Sequence, residues 1–137
     1  MKKLMSLILA VLMMSAMMIP SFAAVITPGE SISPNWNYMS TVTVEVSFLG
    51  TAGCATVDVS RIFGVTTSLE GVLTVYEDVD GEWVYVDSVS GSSTRSLGLE
   101  LYFTATSGTT YMAVADITAY SSTGSESDSL TDTETCP

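Results

Sequence analysis

Apolar and polar side chains alternate along most of the chain after residue 40, and this pattern constrains the fold more than any other feature. Val44 and Val46 alternate with threonine, glutamate and serine, and Leu99 and Leu101 sit in a similar pattern further along. Because successive side chains of a strand point to opposite faces, each such segment has one apolar face. No segment of this region carries the apolar stripe of an amphipathic helix. The alternation predicts strands over residues 40–48, 54–62, 69–78, 82–89, 96–104 and 110–120.

Strands with one apolar face each must bury that face against a second layer. The turns between them are short and polar, which is typical of antiparallel neighbours. We therefore expect an all-β fold, a single antiparallel β-sandwich of about six to seven strands, with a small closed barrel as the alternative. The expected core residues are Val44, Val46, Val57, Leu99, Leu101, Ala113 and Ile117.

The N-terminus has the three-part layout of a secretory signal. Lys2 and Lys3 precede an apolar run over residues 4–19, and Pro20 and the small residue Ala23 follow it. The run is shorter than the roughly 20 residues that a membrane-spanning helix needs. We expect residues 1–24 to be a cleaved signal peptide, 25–37 an extended lead-in and 38–121 the sandwich domain, in a secreted or cell-surface protein with no membrane insertion after cleavage.

Residues 122–137 are rich in serine, threonine and acidic residues. This composition predicts a disordered acidic tail, with an edge strand held by Cys136 as the alternative. Cys54 and Cys136 are the only cysteines, and a pair in an exported protein favours a disulfide. We therefore predict a Cys54–Cys136 bond that ties the tail to an early strand.

The stretch GTTYMAVADITAYSSTGSES, residues 108–127, resembles the entry into the penultimate strand of fibronectin type III domains. In that resemblance Tyr111 matches the corner tyrosine, whose hydroxyl bonds back to the chain. The hairpin LTVYEDVDGEWVYVDS, residues 73–88, is similar to the middle hairpin of such sandwiches. The layout also resembles small exported Gram-positive bacterial proteins of unknown function. The second strand departs from the family pattern, because residues 54–62 contain no tryptophan and Trp36 precedes the first strand.

The charge of the chain argues against several classes of function. Once the signal is removed, only Arg61 and Arg95 oppose fifteen acidic residues. Nucleic acids and anionic membranes need lysine and arginine, so neither is an expected partner. The chain has no histidine, and both lysines lie in the signal, so serine or cysteine nucleophiles have no base from these residue types. We expect no enzymatic activity and no cofactor.

The sharpest acidic cluster lies at the tip of the predicted hairpin around Asp80-Gly81. Asp78, Asp80 and Glu82 are oxygen ligands at alternate positions, the type that Ca²⁺ accepts. The tip supplies three or four carboxylates where Ca²⁺ takes six to eight oxygens, and Asp-Gly is ordinary turn chemistry. We therefore expect a plain acidic turn and keep a Ca²⁺ site as the alternative.

Three aromatic residues, Trp83, Tyr85 and Tyr102, are the best candidates for a binding surface. Trp83 and Tyr85 share one face of their strand, and Tyr102 is out of phase with its leucine neighbours. Three functions remain open: a non-enzymatic extracellular binding or structural module, a carbohydrate-binding or carbohydrate-active protein, and a secreted effector or inhibitor whose tail engages a partner. Each predicts an unknown protein or glycan as the ligand.

Overall fold

The computed structural model describes residues 36–137, which form seven β-strands and no helix. The predicted signal peptide and most of the lead-in lie outside the described residues. Six strands lie where the alternation predicts them, and the seventh lies in the predicted tail. The strands are β1 (Met39–Leu49), β2 (Ala52–Arg61), β3 (Thr66–Val79), β4 (Glu82–Ser93), β5 (Leu97–Thr104), β6 (Thr110–Ser121) and β7 (Ser125–Thr135).

The strands form two antiparallel sheets, as the sandwich prediction requires. One sheet has three strands in the order β1-β2-β5, and the other has four in the order β4-β3-β6-β7. Every described pairing is antiparallel. The edge strands are β1 and β5 in the smaller sheet and β4 and β7 in the larger one. In the described part of the chain, no helix is long and apolar enough to cross a membrane.

The inner faces of the two sheets pack into one apolar core. Six of the seven expected core residues are buried, and Val44 is half-buried against them. Small alanines on β6 and larger aliphatic side chains on β3 and β5 let the sheets approach closely. Gly71 and Gly91, which pair across β3 and β4, lie under the leucines of β5, where a Cβ would collide with side chains. The fully buried β6 positions are Tyr111, Ala113, Ala115, Ile117 and Ala119.

Tyr111 fixes the loop that enters β6. Its ring is 1% exposed and lies against Phe103 and Phe48, with ring centroids 5.1 and 5.7 Å away. Its hydroxyl accepts a hydrogen bond from the backbone N–H of Thr106 at 2.9 Å. This is the backward bond expected from the corner-tyrosine comparison, and it holds the β5–β6 loop against the end of the core.

The acidic tail is strand β7, so the edge-strand alternative for residues 122–137 is the one observed. It pairs with β6 from Ser125 to Thr135. Beyond the strand, the N–H of Cys136 donates to the carbonyl of Thr109, and the N–H of Gly108 donates to the carbonyl of Cys136, both at 2.9 Å. Backbone hydrogen bonds therefore hold the C-terminal segment in place.

The predicted disulfide is wrong, because both cysteines are free. Cys54 follows Gly53 and precedes Ala55, which face the core, so its side chain lies on the outer face of the three-stranded sheet. Cys136 is buried, and its thiol donates to the carbonyl of Gly50 at 3.4 Å. The two side chains lie on opposite sides of one sheet, an arrangement that the sequence positions alone do not reveal.

Candidate functional site

The hairpin between β3 and β4 ends in a two-residue turn at Asp80-Gly81. Both residues have positive φ, 56° and 85°, and Val79 pairs with Glu82 across the turn. Two successive left-handed residues make the type I′ turn, whose twist matches that of the flanking strands. One carboxylate oxygen of Asp78 accepts the N–H of Gly81 at 2.7 Å. Asp-Gly here serves the turn, as the sequence suggests.

The hairpin presents Tyr76, Trp83 and Tyr85 on the outer face of the four-stranded sheet, and we call these three residues the aromatic hairpin face. Tyr76 follows the buried Val75 on β3 and therefore points outward. It pairs with Tyr85, and the rings meet edge to face with centroids 6.3 Å apart. Trp83 lies two positions from Tyr85 on the same strand, opposite Asp78.

The aromatic hairpin face is accessible. Trp83 is 37% exposed and Tyr85 57% exposed, although large aromatic side chains bury most of their surface in a core. The Tyr85 hydroxyl lies 3.0 Å from the Oγ of Ser88, which fixes the direction of the ring. The sequence pattern predicts Trp83 and Tyr85 at this surface but does not single out Tyr76. Tyr76 directly follows the apolar Val75 on a predicted strand, and this position already indicates that its side chain points away from the core.

Tyr102 does not join this surface. It lies on β5, pairs with Cys54, and is 70% exposed on the outer face of the three-stranded sheet. Its hydroxyl lies 3.3 Å from a carboxylate oxygen of Glu100, whose negative charge raises the pKa of Tyr102. The two outer faces look away from each other, so the structure separates Tyr102 from Trp83 and Tyr85.

In the described part of the chain, including the acidic tip, no group of three acidic, histidine or cysteine side chains is placed to hold an ion. Asp78 bonds to the turn, and Asp80 occupies the turn itself. Glu82 lies on β4 directly after it. The three predicted ligands are neighbours along the hairpin without converging on a common point.

A shallow depression of about 470 Å³ lies on the same outer face, further from the hairpin tip. Its wall includes the carboxylates Glu70 and Asp116, and hydroxyls from β4 and β6 complete it. The Tyr120 hydroxyl beside it donates to Glu70 at 3.0 Å, and this hydrogen bond raises the pKa of Tyr120. The sequence pattern does not predict this depression, because its residues come from three separate strands.

The carboxylates of β7 accept hydrogen bonds from the start of the described chain, a role that the sequence pattern does not predict. Glu126 accepts the backbone N–H groups of three consecutive residues, Asn37, Tyr38 and Met39. The indole N–H of Trp36 donates to Asp128 at 2.8 Å. These bonds fasten the lead-in to the far edge of the sandwich.

Asp132 does the same for the middle of β1. It is 3% exposed, and one carboxylate oxygen accepts the N–H of Val46 at 2.8 Å. The other oxygen has no hydrogen-bond partner within residues 36–137. The sequence does carry a signal for this arrangement. Acidic residues and Leu130 occupy every second position of residues 126–134, so carboxylates share the strand face that would normally carry apolar side chains.

No protein-family model matches the chain, and no curated protein matches it either.

Proposed function

We propose that the protein is a secreted, non-enzymatic binding module whose contact surface is the aromatic hairpin face. The observation that carries this proposal is the joint exposure of Trp83 and Tyr85 on one sheet face. Aromatic rings that are partly desolvated and rigidly held are typical anchors of protein interfaces. Tyr76 and Ser88 support the orientation of Tyr85, so the surface is already arranged before a ligand arrives.

The fold supports a fibronectin type III-like interpretation of the module. Its sheets have the orders β1-β2-β5 and β4-β3-β6-β7, and the Tyr111 hydroxyl bonds back to Thr106. The inward positions of β2 are Ala55, Val57 and Val59, so the core tryptophan of those domains has no counterpart on this strand. Such sandwiches commonly serve as cell-surface domains. This fold and the proposed signal peptide over residues 1–24 both support a role outside the cell.

A protein partner fits the surface best, since the exposed aromatic residues are interrupted by acidic groups at the hairpin tip. The fifteen acidic residues and the absence of lysine after residue 3 disfavour nucleic acid and membrane surfaces. The proposal includes no cofactor and no catalytic step.

A glycan is the second candidate ligand, and the depression beside Tyr120 favours it. Carboxylates and hydroxyls there could accept and donate hydrogen bonds to sugar hydroxyls, while Trp83 and Tyr85 on the same face offer stacking surfaces. The depression and the aromatic hairpin face belong to one sheet, so an extended glycan could touch both.

The test uses two kinds of probe, a displayed library of random peptides and a panel of soluble glycan oligomers. We expect ligands selected on the native protein to bind at least roughly tenfold more weakly to Trp83→Ala and Tyr85→Ala. The matched control is Tyr102→Ala, which removes an even more exposed tyrosine from the other sheet and should leave affinity unchanged. The proposal fails if no probe binds, or if binding survives both hairpin substitutions. Loss on Asp116→Asn with glycan probes alone would favour the glycan candidate.

A further inference from the structure

One edge of the sandwich remains open at the aromatic hairpin face. β4 is the terminal strand of its sheet, and no described strand pairs with its other side. β5 lies against the far half of β4, where Leu99 approaches Gly91. In the half nearer the turn, Trp83, Val84 and Tyr85 are all exposed.

The turn determines which backbone groups point out of this edge. Val79 and Glu82 close a two-residue turn and therefore form a hydrogen-bonded pair. Paired residues of an antiparallel ladder alternate between hydrogen-bonded and non-hydrogen-bonded. Trp83 and Tyr85 consequently occupy the non-hydrogen-bonded positions opposite Asp78 and Tyr76, so their N–H and C=O groups point away from β3. The outward backbone groups thus belong to the two exposed aromatic residues.

The opposite side of the sandwich is closed by its own side chains. Glu126 and Asp132 of β7 accept backbone N–H groups of the lead-in and of β1. Within residues 36–137 no side-chain hydrogen bond caps the backbone of β4 between residues 82 and 86. Carboxylates therefore satisfy backbone N–H groups along the β1 edge of the sandwich, whereas the outward backbone groups of Trp83 and Tyr85 on the β4 edge have no such partner among the described residues.

Charge defines what could pair with this edge. Asp78, Asp80 and Glu82 lie at the tip, and Asp87 follows Tyr85 along β4. The arginines lie elsewhere: Arg61 ends β2 and donates to the carbonyl of Thr94, and Arg95 follows β4 at its far end. A strand of β4's length spans roughly 40 Å, so the tip is far from both cations.

We infer that the edge of β4 at Trp83 and Tyr85 accepts an extended lysine- or arginine-bearing segment of another protein as an added strand. This inference rests on the proposed function and names its partner class. Outward backbone groups supply the ladder hydrogen bonds, and alternate side chains of the segment lie beside the aromatic rings. A cationic side chain gains both from the ring faces and from the surrounding carboxylates.

A second copy of the chain is a poorer occupant. Antiparallel pairing of two β4 edges around Trp83 and Tyr85 brings the acidic tip of each copy close to Asp87 of the other. Like charges brought together in this way repel, which disfavours the self-pairing. Charged side chains on an edge strand commonly prevent self-association, and the same charges attract a basic segment.

The experiment uses the full secreted protein and blocked synthetic peptides of alternating lysine and valine. Fluorescence anisotropy measures their binding, with a glutamate-valine peptide as the charge control. Two further lysine peptides carry N-methyl groups on alternate residues. In one peptide the methyl groups block the N–H groups of one edge of the extended chain, and in the other they block those of the opposite edge. We expect saturable binding of the lysine peptide, weakening with added salt, no binding of the acidic peptide, and a loss of at least roughly tenfold for methylation of one edge only.

A matched pair of variants tests the backbone of the protein itself. Tyr85→Ala and Tyr85→Pro both remove the ring, but only proline also removes the outward N–H. Proline is tolerated on edge strands where the N–H faces solvent. We expect the proline variant to bind several-fold more weakly than the alanine variant, with both retaining native circular dichroism. If Tyr85→Pro does not fold, the N-methylated peptides decide the question alone.

Absence of peptide binding would overturn the inference, as would equal binding of both N-methylated peptides. It also fails if light scattering shows a dimer that the lysine peptide cannot dissociate, because a second copy would then hold the edge. If edge methylation has no effect while Trp83→Ala still abolishes selected ligands, the proposed function stands and strand addition alone is wrong. If neither Trp83→Ala nor Tyr85→Ala weakens the binding of any ligand, the proposed function and the strand-addition inference are both wrong.

Discussion

At the scale of single residues, carboxylates do two opposite jobs in this protein. Those of the hairpin tip are exposed, and Asp78 among them accepts only the N–H of Gly81 within its own turn. Those of β7 reach other elements and accept backbone N–H groups of β1 and the lead-in. Hydrogen bonds to charged acceptors are stronger than neutral ones, and an orphaned buried N–H costs the full desolvation penalty. Composition cannot distinguish the two roles, because a strand and a solvated tail can both carry the same acids. The distinction needs the fold.

Glu126→Ala should therefore destabilise the protein. It removes the acceptor of three backbone N–H groups, and we expect a loss of about 1–3 kcal/mol. Urea unfolding at constant slope measures the change. Glu134→Ala is the matched control, because Glu134 is an exposed acid of the same strand and should change stability by less than about 0.5 kcal/mol. Equal effects of the two substitutions would refute the capping role.

The thiols give a second prediction at this scale. Cys54 is half-buried and Cys136 fully buried, and they are not bonded to each other. A thiol reagent should label Cys54 in the native protein and reach Cys136 only after unfolding. In denaturant without reductant, we expect to titrate two free thiols, and in the native protein only one. The Cys54→Ser variant should show no thiol labelling in its native state. No free thiol in denaturant would contradict the unpaired arrangement.

Tyr102 gives a prediction in pH. The nearby negative charge of Glu100 raises the pKa of Tyr102, since it disfavours the phenolate. The pKa of Tyr102 is higher in the folded protein than in the unfolded chain, where it is about 10. The contribution of Tyr102 to the stability of the fold is therefore complete below about pH 10 and is lost as the pH rises through the folded pKa. We expect Glu100→Gln to lower the pKa of Tyr102, seen as earlier tyrosinate absorbance that Tyr102→Phe abolishes. An unchanged titration in Glu100→Gln would exclude the electrostatic cause.

At the scale of elements, the strands that sequence alternation predicts are those whose inner positions are apolar. β1 to β6 meet that condition, and Ala113, Ala115 and Ile117 of β6 all face the core. β7 does not, because Leu130 is the only aliphatic side chain on its inner face and its neighbours there are acidic. Its alternating acidic residues fit a solvated tail as well as a strand, and the pairing with β6 is what distinguishes the two. The same holds for the separation of Tyr102 from Trp83, which depends on which sheet each strand joins.

The hairpin yields a prediction about cations. Asp78, Asp80 and Glu82 do not converge, so Ca²⁺ and Mg²⁺ at equal ionic strength should raise the melting temperature alike, through screening of the acidic surface. Asp80→Asn should leave that response unchanged, because asparagine also accepts the left-handed conformation of the turn. Thermal unfolding followed by circular dichroism makes the comparison. A Ca²⁺-specific shift of roughly 10 °C that Asp80→Asn abolishes would instead indicate a calcium site.

At the scale of the whole molecule, β7 closes the sandwich in two directions. It pairs with β6 along the sheet, and its carboxylates reach across to β1 in the other sheet. Leu130 of β7, and Cys136 just after the strand, add buried side chains to the core. A disordered acidic tail would be dispensable, whereas a strand with these contacts is part of the cooperative unit. Deleting residues 125–137 therefore separates the two descriptions of this segment.

We expect this deletion to abolish cooperative folding. It exposes the alanine-lined inner edge of β6, removes the acceptor of the Val46 N–H and frees the lead-in from Glu126. The loss combines buried apolar area with several unsatisfied backbone groups, and it exceeds what a domain with about 5–15 kcal/mol of stability can absorb. A matched control replaces the exposed β7 residues Ser125 and Glu134 with alanine and should melt within a few degrees of the native protein. Dispersed amide resonances and a sharp thermal transition in the deletion variant would contradict the prediction, because the sandwich would then be complete with six strands.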